Sequence, residues 1–324
     1  MNMNEVNIIG AGFAGLITAC AIPKATIFEA GSYNENHKAL LRFRDKSVAD
    51  LTGIPFREVT VHKEICHKDI IYHECNISIA NCYSNKVSGV FEDRSIWDLK
   101  TVNRYIAPPD FYDQLVDRHT NRICWNAEIV ADTIGSGNTM KIINTAPLPV
   151  IMAACGLDSS RFEFKSSGIK VDRYELPQTN VYQTIYFPDE DLRVYRASIT
   201  GNVLIVESIS ERDHLDRCWG ANRYDPVREI RIILMAFGLD CVYDPSDLPQ
   251  PKTVTQKHGK IIALSKQARE AILYKLTREY NVFSIGRFAT WRNILLDDVV
   301  KDIEVVKRLM DSSDYGRELV LMNR

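Results

Sequence analysis

Gly10-Ala11-Gly12-Phe13-Ala14-Gly15 has the G-x-G-x-x-G spacing, and each glycine in that spacing has a mechanical task. The first permits a tight turn, the second lets backbone approach a pyrophosphate, and the third allows close helix–strand packing. The turn works only if it follows a strand and opens a helix. The helix N-terminus then presents unbonded N–H groups and the positive end of its dipole to phosphates. Glu29 lies 19 residues after Gly10. A carboxylate there can accept hydrogen bonds from ribose hydroxyls, and it disfavours a 2′-phosphate, so NADP is the poorest candidate. The spacing alone does not separate FAD from NAD.

Other residues carry weaker signals. Arg42 and Arg44 sit two apart in a strand-like run, so both should project to one face. That pair fits either anion contact, through the planar guanidinium fork, or a solvated basic face. Cys66, Cys75 and Cys82 with His62, His67 and His73 form the one metal-like cluster, but its spacings match no zinc pattern, so no metal is expected. No Ser/His/Asp pattern, P-loop or zinc-deaminase motif is present, which leaves hydrolase chemistry weakly supported.

The elements that must position these residues follow from the apolar pattern. Val6-Asn7-Ile8-Ile9 reads as a strand, Leu16 to Ile22 as a short helix stopped by Pro23, and Ala25-Thr26-Ile27-Phe28 as the next strand. Ile70 to Ile79 and Lys86 to Phe91 read as strands, and Asp110 to His119 as a helix. Ile142-Ile143 forms a second apolar unit. Residues 161–208 read as several strands, including Val181 to Phe187, Leu192 to Ser198 and Asn202 to Ser208. Pro226 to Phe237, Ser265 to Tyr280 and Asp297 to Met310 read as helices, the last with Val299, Ile303, Val306 and Met310 on one face. Val282 to Ile285 is a strand.

The 324 residues suffice for a full core, and 45% hydrophobic with 25% charged residues is an ordinary globular balance. Lys+Arg 40 against Asp+Glu 42 excludes a generally basic nucleic-acid binder. No run of about 18 apolar residues predicts a membrane span. The eight cysteines include no CxxC pair and read as reduced thiols of a cytoplasmic protein.

Phe283-Ser284-Ile285-Gly286-Arg287-Phe288-Ala289-Thr290-Trp291 resembles the strand-then-Gly motif that closes the flavin site in the glutathione-reductase-like FAD superfamily. The Gly-Arg version, with a helix starting near Asp297, is similar to UDP-galactopyranose mutases and their amine-oxidase-like relatives. Asn144-Thr145-Ala146-Pro147-Leu148-Pro149 resembles the segment where the chain leaves the FAD domain. Ile185-Tyr186-Phe187-Pro188 and then Tyr195-Arg196 are similar to substrate-sheet strands of those families. More narrowly, His37-Lys38-Ala39-Leu40-Leu41-Arg42-Phe43-Arg44 and Thr52-Gly53-Ile54-Pro55-Phe56-Arg57 resemble flavoproteins encoded by bacteriophages, some of them assigned to thymine hypermodification.

The resemblance implies an α/β fold: a Rossmann-like, three-layer FAD-binding domain on a parallel sheet, with an interleaved β-rich substrate domain. The expected division is 1–36, 120–157 and 255–324 for FAD, with 37–119 and 158–254 for substrate. FAD would be held by Gly10 to Gly15, Glu29, Ala30, Arg42, Gly286, Arg287, Asn293, Ile294 and Leu295. Arg287 would neutralise pyrophosphate charge or else pair with Asp297 or Asp298. Arg42, Tyr186, Tyr195, Arg196 and Trp291 are the candidates for the substrate pocket. The implied activity is an FAD-dependent oxidoreductase or lyase acting at a C–N bond of an amine or amino-acid-like group. Its substrate would be a small molecule or an amino-acid adduct on a thymine base of phage DNA, read in the host cytoplasm. Two alternatives stand beside it: a non-redox flavoenzyme resembling the mutases, and a non-catalytic FAD- or NAD-binding protein. No second G-x-G-x-x-G is present to mark a separate NAD(P)H domain.

Overall fold

The computed structural model describes residues 6–33, 41–91, 94–176, 179–209 and 225–312, without the side chains of 257 and 258. His37 to Leu40 and Cys218 lie outside the described residues. The chain divides into two compact units. The first comprises Met1–Glu58, Tyr105–Lys165 and Ile262–Arg324; the second comprises Val59–Arg104 and Ser166–Ile261.

The first unit is built on a five-stranded sheet in the order β14-β8-β1-β2-β7, parallel throughout. Its strands are β1 (Val6–Ile9), β2 (Thr26–Phe28), β7 (Ile123–Cys124), β8 (Lys141–Asn144) and β14 (Val282–Ser284). They are short apolar runs because a parallel sheet is covered on both faces. Helix α1 (Phe13–Ala21) connects β1 to β2. Its Leu16 and Ile17 pack with Val299, Ile303, Val306 and Leu309 of the last helix, Leu296–Asp311. Helix α4 (Phe111–His119) joins the same core through Phe111, Tyr112 and Leu115. His119 is buried at its end, with Nε2 3.1 Å from Leu16 O and Nδ1 2.5 Å from an Arg122 guanidinium nitrogen. Burial, reinforced by the Arg122 charge, pushes its pKa down to about 4.

Residues 41–58 and 105–119, expected with the substrate segments, pack here instead. Phe43, Val48 and Ile54 complete the α1 core, and β3 (Arg42–Phe43) pairs antiparallel with Tyr105 and Ile106. The apolar side chains of this run decide its partner, and basic-apolar alternation does not reveal which sheet they will meet.

The second unit is a sheet in the order β13-β9-β12-β11-β10-β4, with β5 (Ile70–Tyr72) paired to β4. The strands are β4 (Arg57–His67), β9 (Ser166–Glu175), β10 (Val181–Tyr186), β11 (Val194–Gly201), β12 (Val203–Ile209) and β13 (Lys252–Ile261). Only the β10–β4 pair among these is parallel. One face packs Ile185, Ala197 and Val206 against Ile232, Ile233 and Ala236 of the helix Pro226–Ala236. The other packs Ile65, Val171 and Tyr186 against Ile79, Tyr83 and Val87 of α3 (Ile77–Ser88).

Of the strand expected at Ile70 to Ile79 only β5, Ile70–Tyr72, forms; helix α3 takes Ile77 to Ile79 and also Lys86 to Ser88 of the strand expected at Lys86 to Phe91. Asn76 caps its start by accepting from Ile79 N at 3.0 Å, and Gly89 ends it in the left-handed region. The i, i+4, i+8 spacing of Ile79, Tyr83 and Val87 makes one helical face, which overrides the local β-branched character. Lys86, fully buried on α3, donates to the carbonyls of Phe187, Asp189 and Val194 at 2.8, 2.7 and 2.6 Å. All three ammonium protons are thereby used.

Candidate cofactor and substrate sites

At the end of β1 the chain turns at Gly10, whose φ of +100° is strained for any L side chain. A Cβ at Gly10 would also fall 2.6 Å from Thr145 Oγ1. At Gly15 a Cβ would lie 1.9 Å from the Gly10 carbonyl oxygen, so only glycine lets α1 rest on the turn. Gly12 differs. Its backbone is ordinary, φ −73° and ψ 177°, and a Cβ there would meet nothing within 4 Å. The fold does not demand that glycine, and the space above it suits a ligand approaching the backbone. Gly12 is also the N-cap of α1, with no side-chain cap, so first-turn N–H groups face outward.

Glu29, half-buried at the end of β2, accepts from Ala11 N at 2.7 Å and from Gly31 N at 2.9 Å. Those bonds fix the carboxylate beside the glycine turn, and each oxygen retains a second lone pair for a ribose hydroxyl. Ala30, next in the chain, is exposed. Three aromatic residues that sequence reasoning missed gather close by. Tyr33 stacks on Tyr112 with centroids 6.2 Å apart and meets Trp125 edge-on at 6.2 Å. The Tyr112 hydroxyl donates to Ala11 O at 3.1 Å. Thr145 was also missed as a contributor; its hydroxyl donates to Ile9 O at 2.7 Å and holds the strand end at the turn.

The C-terminal motif arrives at the same place. Gly286, at φ +94°, follows β14 and would set a Cβ 3.0 Å from the Ala14 Cβ, so the two turns lie against each other. Arg287 starts a single helical turn, Arg287–Thr290, half-buried with its guanidinium 5.5 Å from the Phe288 ring. Trp291 ends that turn at φ +46°, a conformation costly for a bulky residue, and is buried edge-on to Phe164 at 5.0 Å.

The ion pair considered for Arg287 belongs to Arg44. Its backbone N–H and Nε reach Asp297 at 3.0 and 3.2 Å, and its other nitrogen reaches Asp298 at 2.7 Å. Arg42 stays half-buried on β3. Strand β3 ends at Phe43, so Arg44 lies just beyond it. Of the backbone groups expected before the last helix, Ile294 N donates to Arg292 O and Leu295 N to the Asp298 carboxylate, both at 3.0 Å. Asn293 and Leu295 are exposed. Leu296 and Asp297, as first-turn residues of that helix, carry the N–H groups without intrahelical partners.

In the second unit, Tyr186, Arg196 and Glu207 are cross-strand neighbours on one sheet face. Arg196 pairs with Glu207, to which Tyr195 O–H also donates at 3.2 Å. A register shift between Val194 and Arg196 lets the consecutive residues Tyr195 and Arg196 share this acceptor. Lys260 Nζ stands 4.8 Å from the Tyr195 ring centroid, and Tyr83 meets Tyr186 edge-on at 5.5 Å. Burial alone would raise the Glu207 carboxyl, but Arg196, with Lys260 and the Tyr195 hydroxyl, holds it at about 2. The cluster thus carries two cations for one carboxylate. Glu207 and Lys260 were missed in the sequence because cross-strand register, which decides their meeting, is not local.

The metal-like residues disperse. His67 pairs with Asp189 at 2.8 Å and His73 with Glu64 at 3.4 Å, while burial pushes the Cys66 thiol up to about 12. Among the described residues no group of three His, Cys, Asp or Glu side chains is placed to hold a metal ion. Among them, no helix is long and apolar enough to cross a membrane.

No family model matches the chain, and no curated protein matches it in sequence. Solved structures do match in three dimensions. A reduced UDP-galactopyranose mutase superposes with a TM-score of 0.66 at 13% identity, covering 95% of this chain and 94% of that one. An engineered putrescine oxidase gives 0.54 at 8%, covering 95% and 99%. Klebsiella pneumoniae HpxO, complexed with FAD and uric acid, gives 0.51 at 10%, covering 98% and 82%. The chain has the fold these three proteins share.

Proposed function

We propose that the chain is an FAD-dependent enzyme whose first unit holds the cofactor non-covalently. The observation that carries this is the meeting of the two glycine turns, with open space above Gly12 and a pinned carboxylate at Glu29. The residues fit the group: the α1 N-terminus faces the pyrophosphate, Glu29 takes the adenosine ribose, and Arg287 adds positive charge. The first-turn N–H groups of Leu296 and Asp297 suit an electron-rich ring edge. Bound FAD supplies two-electron redox chemistry, and the protein supplies binding, orientation and electrostatics.

The reaction we assign is oxidation or cleavage at a C–N bond of an amine or amino-acid-like group. In the second-unit cluster, the residue we assign to a substrate carboxylate is Arg196, whose planar fork suits it and which stands on the sheet face beside Tyr186. Tyr186 and Tyr195 give that cluster an apolar wall with polar tips. In its narrowest form the amine sits on a hypermodified thymine of phage DNA. That form rests on the resemblance of 37–44 and 52–57, and nucleoside mass spectrometry of DNA with the gene present and deleted tests it.

A second reading, a non-redox sugar mutase, is favoured by the 0.66 TM-score to the mutase. Stopped-flow mixing separates the two. Bleaching of the oxidised flavin band by candidate amines supports C–N oxidation. Turnover seen only after dithionite reduction contradicts it and supports the mutase reading.

A further inference from the structure

Successive peptides of the glycine turn are gripped by side chains from three distant places in the chain. Glu29, just past β2, accepts from Ala11 N at 2.7 Å. Thr145, just past β8, donates to Ile9 O at 2.7 Å and to Gly10 O at 3.3 Å. Tyr112, on α4, donates through its hydroxyl to Ala11 O at 3.1 Å. The Gly12 amide is the next donor along the turn. Among the described residues it has no acceptor, and Gly12 is partly exposed.

Peptide planarity couples these contacts. Across a trans peptide, the C=O of one residue and the N–H of the next point in opposite directions. The Tyr112 bond turns the Ala11 carbonyl towards α4, so the Gly12 N–H of the same peptide points away from α4. On the preceding peptide, Gly10 O faces Thr145 while Ala11 N–H faces Glu29, as the same planarity requires. Glycine leaves its own backbone freer to rotate than any other residue would, so a grip from outside matters most at Gly12. The Tyr112 side chain is fixed for the task. It is 4% exposed, with Phe13 edge-on at 5.4 Å and Tyr33 stacked at 6.2 Å. Burial, reinforced by the charges of Glu29 and Asp113, pushes its pKa up, so the oxygen keeps its proton and donates. The ring alone packs in the α1 core, and the hydroxyl reaches the turn.

We propose that Tyr112 is a positioning residue for a pyrophosphate: by holding Ala11 O it presets the Gly12 N–H as a donor to an anionic phosphate oxygen. The proposal rests on the FAD reading above and adds to it a residue from outside the glycine motif. A donor fixed before the ligand arrives binds without the ordering cost that a loose peptide incurs.

Displacement of FAD from the full chain by ADP and by adenosine, read as recovered flavin fluorescence, tests it. Both probes offer a ribose to Glu29, and only ADP brings a pyrophosphate. Tyr112→Phe should weaken FAD and ADP by about tenfold, the scale of one charge-assisted hydrogen bond. Its affinity for adenosine and its circular dichroism should match wild type. Unchanged affinities for FAD and ADP overturn the proposal, as does equal weakening of all three ligands, which would mark a merely structural loss. Should the variant misfold, wild-type chain isotope-labelled at glycine nitrogen reads the same donor by NMR. The Gly12 amide proton should stay downfield when ADP displaces FAD and move upfield when adenosine does; no difference between the two overturns the proposal. A chain that takes up no FAD defeats the FAD reading as well. A chain that takes up FAD, with Tyr112→Phe at wild-type affinity, defeats this proposal alone.

Discussion

Gly12→Val and Gly15→Ala alter two glycines three residues apart and should fail in different assays. At Gly12 the backbone suits any L residue and a Cβ meets nothing within 4 Å. The fold therefore loses only N-cap quality, about 0.5–2 kcal/mol, and the cofactor-free melting temperature should stay within several degrees of wild type. The valine occupies the space assigned to the pyrophosphate. Each charge-assisted hydrogen bond it prevents is worth about 1.5–3 kcal/mol, so FAD affinity should drop about ten- to hundredfold per bond. At Gly15 the new methyl lies 1.9 Å from the Gly10 carbonyl oxygen, a backbone atom that cannot swing away. Overpacking of that kind costs about 1–3 kcal/mol or more, so Gly15→Ala should melt lower even without FAD. Quenching of FAD fluorescence gives the affinities, and differential scanning fluorimetry gives the melting temperatures. A Gly12→Val protein that binds FAD as wild type does, or a Gly15→Ala protein as stable as wild type, would refute the reasoning.

Glu29→Ala should weaken FAD by about tenfold or more through lost ribose bonds, with added FAD restoring occupancy; equilibrium dialysis reads both. Lys86→Met strands the buried carbonyls of Phe187 and Val194 at about 1–3 kcal/mol each and also frees the half-buried one of Asp189, so urea unfolding should show a loss of several kcal/mol, and a near-neutral result would contradict the staple. For His119 the folded pKa is depressed from 6.5 to about 4. Between those values the unfolded chain takes up a proton that the folded chain does not, so stability should fall as pH drops through that window. His119→Gln should flatten that limb in pH-dependent melting, and an unchanged slope would count against it.

The glycine turn was legible because its meaning is local: strand, turn, helix and acid follow within 24 residues from Val6 to Glu29. Helices with clean apolar spacing, such as Leu296–Asp311, were legible for the same reason. Strand β13 and the long β4 were not, since their edges carry lysines and threonines whose sheet partners lie far along the chain. Helix α3 was misread because Ile70 to Ile79 is rich in isoleucine, and the caps at Asn76 and Gly89 decide its extent. The Arg44 pairing with Asp297 spans 253 residues, and the Glu207 cluster depends on cross-strand register. Such contacts are set by tertiary packing, which no window of sequence contains.

The central claim is that the first unit holds FAD. The absorption spectrum of the purified full chain, with the supernatant after heat denaturation analysed by chromatography, tests it most directly. The account predicts flavin absorption bands and close to one FAD released per chain. A colourless protein that also fails to take up added FAD would contradict it.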